Sequence, residues 1–117
     1  MTTDVQAEKT IQITLSRSAP VRIKAKDWPQ IASAKDWDNQ YEFQANRTWS
    51  LRVRRHADGR TLVYGEFRSH FQQERDIVAG ELVSLEETEA AIQRVAEELD
   101  RLHLARECIS ELPATEI

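Results

Sequence analysis

Up to Ser84 the chain alternates apolar and polar residues in short runs; after Ser84 the spacing lengthens to that of a helix. IQITL (11–15) places Ile11, Ile13 and Leu15 on one face, and VRIKA (21–25) alternates again beyond the SRSAP turn, so the two read as a hairpin. Residues 39–46, NQYEFQAN, show no single period. TWSLRVRRHADGRTLVYGEFRS is the clearest hairpin, and its register can be argued. A two-residue Asp58-Gly59 turn would mix apolar and charged side chains on each face. A three-residue loop with Gly59 in the left-handed bulge position sets Val53 opposite Val63, Leu51 opposite Gly65 and Trp49 opposite Phe67. One face is then wholly apolar, and the other carries Arg54, Arg52 and Ser50 opposite Leu62, Tyr64 and Glu66.

VYGEFRS (63–69) is echoed by VAGELVS (78–84), which predicts a neighbouring strand. A glycine inside a strand weakens it unless something packs closely above. The expectation is that one element, the following helix, covers a groove at Gly65 and Gly80. Ser84-Leu85-Glu86-Glu87 has the form of a capping box, and Glu86, Glu87 and Glu89 suit a helix N-terminus. From Leu85 a stripe runs through Ile92, Val95, Leu99, Leu102 and Ile109, interrupted by Arg106 and ended at Leu112-Pro113. The predicted fold is α+β: a mainly antiparallel β-meander of four to six strands, with one long C-terminal amphipathic helix packed on one face. Residues 1–8 read as a flexible N-terminus, 9–112 as a single domain and 113–117 as a flexible tail.

The tetrapeptide AKDW occurs at 25–28 and again at 34–37. A nine-residue offset reverses the face in a helix, which turns through about 900°, and in a strand. Within one regular element the two copies cannot form one surface, and Pro29 makes such an element unfavourable. The reading is that Trp28 and Trp37 each anchor one end of a crossing segment to the core. The alternative leaves one of them on the surface as an aromatic anchor for a partner.

Composition changes this picture little. The 117 residues are 40% hydrophobic and 31% charged, ordinary for a globular chain. The only cysteine is Cys108, so no intrachain disulfide can form. MTTDVQAEKT has neither the apolar run nor the cleavage site of a secretory signal, and a cytoplasmic location without membrane contact is expected. LPATE at the end lacks the glycine and apolar tail of a sorting signal.

Charge is more informative. Residues 1–46 balance at six basic and six acidic groups, 47–75 carry seven arginines and three acids, and 76–117 carry three arginines and eleven acids. A basic middle thus precedes an acidic end. Candidate chemistry is sparse. His56, His70 and His103 fall in different elements, and His103 and Cys108 point apart on a helix. DWDNQYE starts like a calcium loop, but Tyr41 stands where glycine is required and Arg47 where glutamate is required. Glu66 and Glu81 hold equivalent places in the echoed strands, where pairing with Arg52 and Arg68 is the expectation.

These readings favour no enzyme, cofactor, metal or small-molecule substrate. The expectation is a small interaction module that binds another protein, or itself, through the outer sheet face and the Arg-rich hairpin. The residues expected to carry it are Arg52, Arg54, Arg60, Leu62, Tyr64 and Arg68. Leu62, Tyr64, Ile77, Ala79 and Val83 would form an apolar patch rimmed by arginine. The alternative is nucleic-acid binding by the hairpin 47–60, since arginine forks hold phosphates and Tyr64 could stack a base.

Overall fold

The computed structural model describes residues 9–114. The flexible segment expected at 1–8 lies outside the described residues, as does the expected tail apart from Pro113 and Ala114. The architecture is α+β. β1 (Thr10–Ile13) and β2 (Val21–Lys24) form a two-stranded antiparallel ribbon. β3 (Gln30–Trp37), β4 (Arg47–Arg55), β5 (Thr61–Ser69) and β6 (Ile77–Val83) form an antiparallel meander in sequence order. α1 (Thr88–Glu98) and α2 (His103–Ser110) cover one face of it. Among the described residues no helix is long and apolar enough to cross a membrane.

The β4–β5 register follows from its turn. The His56 N–H donates to the Arg60 carbonyl and the Gly59 N–H to that of His56, both at 2.9 Å, with Gly59 at φ +96°. This is the three-residue bulged loop, and it pairs Val53 with Val63, Leu51 with Gly65 and Trp49 with Phe67. Their apolar face meets Ile92, Val95 and Leu99 of the first helical segment and Leu104 and Cys108 of α2.

The β5–β6 pairing corrects the expected placing of Gly80 beside Gly65 under the helix. Val63 faces Glu81, Gly65 faces Ala79 and Tyr64 faces Gly80. The sequence reading is one residue out of register, and such a slip flips every side chain of a strand. Ile77, Ala79 and Val83 therefore sit on the helix face, not beside Leu62 and Tyr64. Val78, Gly80 and Leu82 share the outer face. Glu81 turns under α1, where Arg94 clasps it with contacts of 2.7–3.0 Å, while Glu66 stays on the outer face beside Arg68. The two carboxylates are thus on opposite sides of the sheet.

In place of one long helix there is a 3-10 turn at Leu85–Glu87, then α1 and α2. Ser84 does not cap a backbone N–H; its hydroxyl meets the Glu87 carboxylate instead. The break lies at Asp100, whose φ is +56°. The Arg101 N–H reaches the Ala96 carbonyl and the Asp100 N–H that of Glu97, which is a Schellman end with aspartate in the left-handed position. Leu102 then falls outside the apolar stripe and is exposed, and α2 buries Leu104, Ala105 and Cys108 instead.

The outer face is not left open at the hairpin end. The ribbon lies across it, and Ile13, Leu15, Ile23 and Trp28 close over Leu62 in a second core, with Tyr64 packed at its edge. The two AKDW copies have unrelated roles. Ala25–Asp27 form a 3-10 turn that delivers Trp28 into this second core. Ala34–Trp37 end β3, where Trp37 is half-buried on the outer face opposite Thr48.

Candidate binding groove

The ribbon covers only part of the outer face. Beside it lies a groove of about 540 Å³, walled by Lys9–Thr14 and floored by Ser50, Arg52, Arg54, Tyr64, Glu66 and Arg68. Its charged lining is Lys9, Arg52, Arg54 and Arg68 against the single carboxylate of Glu66. Strand alternation produces this floor. On β4 and β5 the positions between the buried apolar residues all point outward, and those positions are rich in arginine.

The arginines of the basic segment are not equivalent. The Arg54 Nε donates to the Tyr64 hydroxyl at 2.8 Å and its Nη1 to the Trp28 carbonyl at 3.0 Å, so it ties the hairpin to the segment that joins the ribbon to β3. Arg55 reaches Thr61 and Thr88. Arg47 pairs with Glu74 at 2.8 Å and lies over the Phe71 ring. Arg60 pairs with Asp58 at 2.8 Å and lies over Trp28. Arg68 pairs with Glu66 at 2.9 Å, and this hydrogen bond raises its pKa above the ordinary arginine value. Arg52 is exposed and has no hydrogen-bond or ion-pair partner among the described residues. The hydroxyl of Ser69 and then the Arg47 guanidinium hold the Glu74 carboxyl below its usual range. The Arg60 backbone N–H does the same for Asp58, with help from the Arg60 side chain.

Of the residues expected to bind a partner, the groove brings together Arg52, Arg54, Tyr64 and Arg68. Leu62 is completely buried beneath the ribbon, and Arg60 belongs to the hairpin tip with Trp28 and His56. Trp28 is core and Trp37 lies outside the groove lining. The apolar patch expected from Leu62, Tyr64, Ile77, Ala79 and Val83 does not assemble. Its members are split between two faces, and Leu62 and Ala79 are buried.

Sequence reasoning missed the wall of the groove. The alternation of β1 is legible, but nothing in it says which sheet face the ribbon crosses. It also missed an aromatic pair at the far end of the sheet. Tyr41 and Phe43 stack with ring centroids 5.5 Å apart, and Phe43 is 84% exposed. Elsewhere, Cys108 is buried and its thiol is pushed up to about 12 by that burial, with Glu111 adding to the effect. His103 contacts Asp36 at 3.1 Å, not Cys108. Among the described residues no cluster of His, Cys, Asp and Glu is placed to hold a metal ion. Compared with known proteins, the chain matches no family model, no curated protein and no solved structure.

Proposed function

We propose that the chain is a non-enzymatic interaction module that binds another protein, or a second copy of itself, through the open, basic part of the outer sheet face. The observation that carries this reading is Arg52, held on the floor of the groove while the neighbouring arginines are engaged within the fold. A guanidinium in that position can clamp a carboxylate with two parallel hydrogen bonds. Cys108 supports the non-enzymatic part, because a protonated, buried thiol is a poor nucleophile. Nucleic-acid binding by the hairpin draws less support. Arg47, Arg54, Arg55 and Arg60 already have partners, and the Tyr64 hydroxyl is held by Arg54 at the edge of a core, not offered as a stacking platform.

Immobilised wild-type protein and Arg52→Glu, challenged with cell extract with and without nuclease, test the proposal. A protein retained by wild type and lost from the variant, nuclease or not, is the expected result. Retention that disappears with nuclease favours the nucleic-acid reading. Equal retention by both proteins removes the groove from the function.

A further inference from the structure

Resting on the reading of the groove as a protein-binding site, we infer that its partner is an extended acidic segment of another protein, added as a strand to the free edge of β1. The backbone pairing of the ribbon leads to this. The Ala25 N–H donates to the Lys9 carbonyl at 2.9 Å, and Thr10 pairs with Lys24, Ile11 with Ile23 and Gln12 with Arg22. In an antiparallel pair, hydrogen-bonded and non-bonded positions alternate. Ile11 and Ile13 therefore exchange bonds with β2, while Thr10 and Gln12 turn their N–H and C=O groups away from it. That edge faces the groove, which is lined by every residue from Lys9 to Thr14 and by none of β2; its far end is closed, because the Thr14 carbonyl, next in the same series, packs against Gly80. Further along, the same wall runs above Ser50, Arg52 and Arg68.

A strand added there would lie about 4.8 Å from β1. Its alternate side chains would point down to the groove floor, where Arg52 and Arg68 stand against the lone Glu66. Acidic residues at every second position satisfy both the open backbone edge and the charge of the floor. A nucleic-acid strand matches the charge but not the row of backbone donors and acceptors. A second copy of this chain fits less well: the strands of its own ribbon, TIQI and VRIK, have no carboxylate to set on the basic floor. Its β6 edge is plugged at Gly80, whose carbonyl accepts the Ser16 N–H at 2.8 Å and whose N–H donates to the Ser16 hydroxyl at 3.0 Å. Its β3 edge is occupied at Ser33 by Glu111 and at Trp37 by Asp36.

The test uses a capped seven-residue peptide alternating glutamate and threonine, the same peptide with lysine for glutamate, and the glutamate peptide with alternate amides N-methylated. Each is titrated into the full chain and read by anisotropy and by amide resonances. The expected result is that the glutamate peptide binds, shifts the Thr10 and Gln12 amides and slows their exchange. Arg52→Glu, Gln12→Pro and N-methylation should each weaken it about tenfold or more, a ratio equal to about 1.4 kcal/mol. Gln12→Pro removes a donor from the free edge and none from the β1–β2 ladder, and the methylated peptide makes the same test without altering the protein. Equal binding of the lysine peptide overturns the acidic chemistry. Equal binding of the methylated peptide overturns strand addition, yet leaves the groove as the site if Arg52→Glu still abolishes binding. If no peptide binds while Arg52→Glu still loses the captured protein of the preceding experiment, this inference fails and the broader reading stands. Tighter binding of a single-stranded DNA dodecamer through Arg52 overturns both.

Discussion

The two faces of the meander are closed by different means, and Gly65 and Gly80 mark the difference. A Cβ on Gly65 would strike the Ser50 carbonyl and come within 2.8 Å of Leu99 Cδ1, so Leu99 at the end of α1 presses onto that face at backbone distance. A Cβ on Gly80 would strike the Thr14 carbonyl and lie 3.3 Å from Leu15 Cδ2, so the cover there is an irregular segment leaving a two-stranded ribbon. The helix face buries residues from all four strands and both helices, with Arg94 and Glu81 paired at its rim. The ribbon face gathers four buried residues around Leu62 and leaves the rest of the surface to arginine, glutamate and solvent. An isolated two-stranded ribbon is marginal on its own. It depends on the sheet beneath it, whereas the helix face carries most of the apolar burial that holds the fold. The lesson is a division of labour: the densely packed face supplies stability, and the lightly covered face keeps polar groups and a backbone edge open.

The largest expected effect compares two leucines, both fully buried, on opposite sides of the same hairpin: Leu51 under the helices and Leu62 under the ribbon. Leu51→Ala leaves a cavity between rigid layers and should cost about 3–5 kcal/mol, whereas Leu62→Ala lies beneath a cover that can settle and should cost about 2–3 kcal/mol. Chemical denaturation of the two variants checks this. A larger loss for Leu62→Ala would show that the ribbon core, not the helix core, dominates stability.

How much of this division the sequence discloses varies from segment to segment. The β4–β5 hairpin was legible because only one register segregates Trp49, Leu51 and Val53 from the arginines, and Asp58-Gly59 offered the turn to match. β6 was not, because both its faces are apolar: Ile77, Ala79 and Val83 on one, Val78 and Leu82 on the other. Alternation cannot choose between them. The choice falls to the 70–76 connection, which Asp76 closes by accepting the Ser69 N–H, and to Arg94, which waits above Glu81. The helix break was hidden because Asp100 takes a conformation that sequence arguments reserve for glycine or asparagine. For the candidate site, the outward arginines could be read from the strand period. Which of them are free could not, since the partners of Arg54 and Arg55 come from segments as distant as Trp28 and Thr88.

A sharper form of the comparison replaces each glycine by alanine. Gly65→Ala forces backbone or Leu99 to move and should lower the midpoint of global unfolding, by about 1–3 kcal/mol of overpacking. Gly80→Ala presses on the 14–16 segment, so its effect should be smaller and more local, with faster hydrogen exchange at Ile11, Ile13 and Ile23 and little change at Leu51 or Val63. Both glycines would have been placed under one helix from sequence alone. Faster exchange in the helices of Gly80→Ala would restore that view, and an undisturbed ribbon would show that Ser16 rather than the Thr14 carbonyl holds the segment down.

The smallest effect concerns how well the helix face excludes water, and it is absent at neutral pH. Burial raises the Cys108 thiol to about 12, from an ordinary value of 9.0 in the unfolded chain. Between those values the unfolded chain gives up a proton that the folded chain keeps. Fewer protons are then bound by the unfolded state, so stability falls as pH rises through this window and is unaffected below it. Other groups titrate there as well, and Cys108→Ala isolates the thiol. The variant should be less stable by a constant amount up to about pH 8.5 because of its cavity, and should then lose stability less steeply than wild type. Denaturant midpoints measured at intervals from neutral to strongly alkaline pH check the difference in slope. Parallel curves throughout would mean that the thiol ionises as readily in the fold as outside it, which requires water beneath α2 and would remove the contrast between a sealed helix face and a wet ribbon face. Alkylation gives a second reading of the same point: native Cys108 should resist iodoacetamide, and the Gly65→Ala variant, with its helices lifted, should react faster than Gly80→Ala.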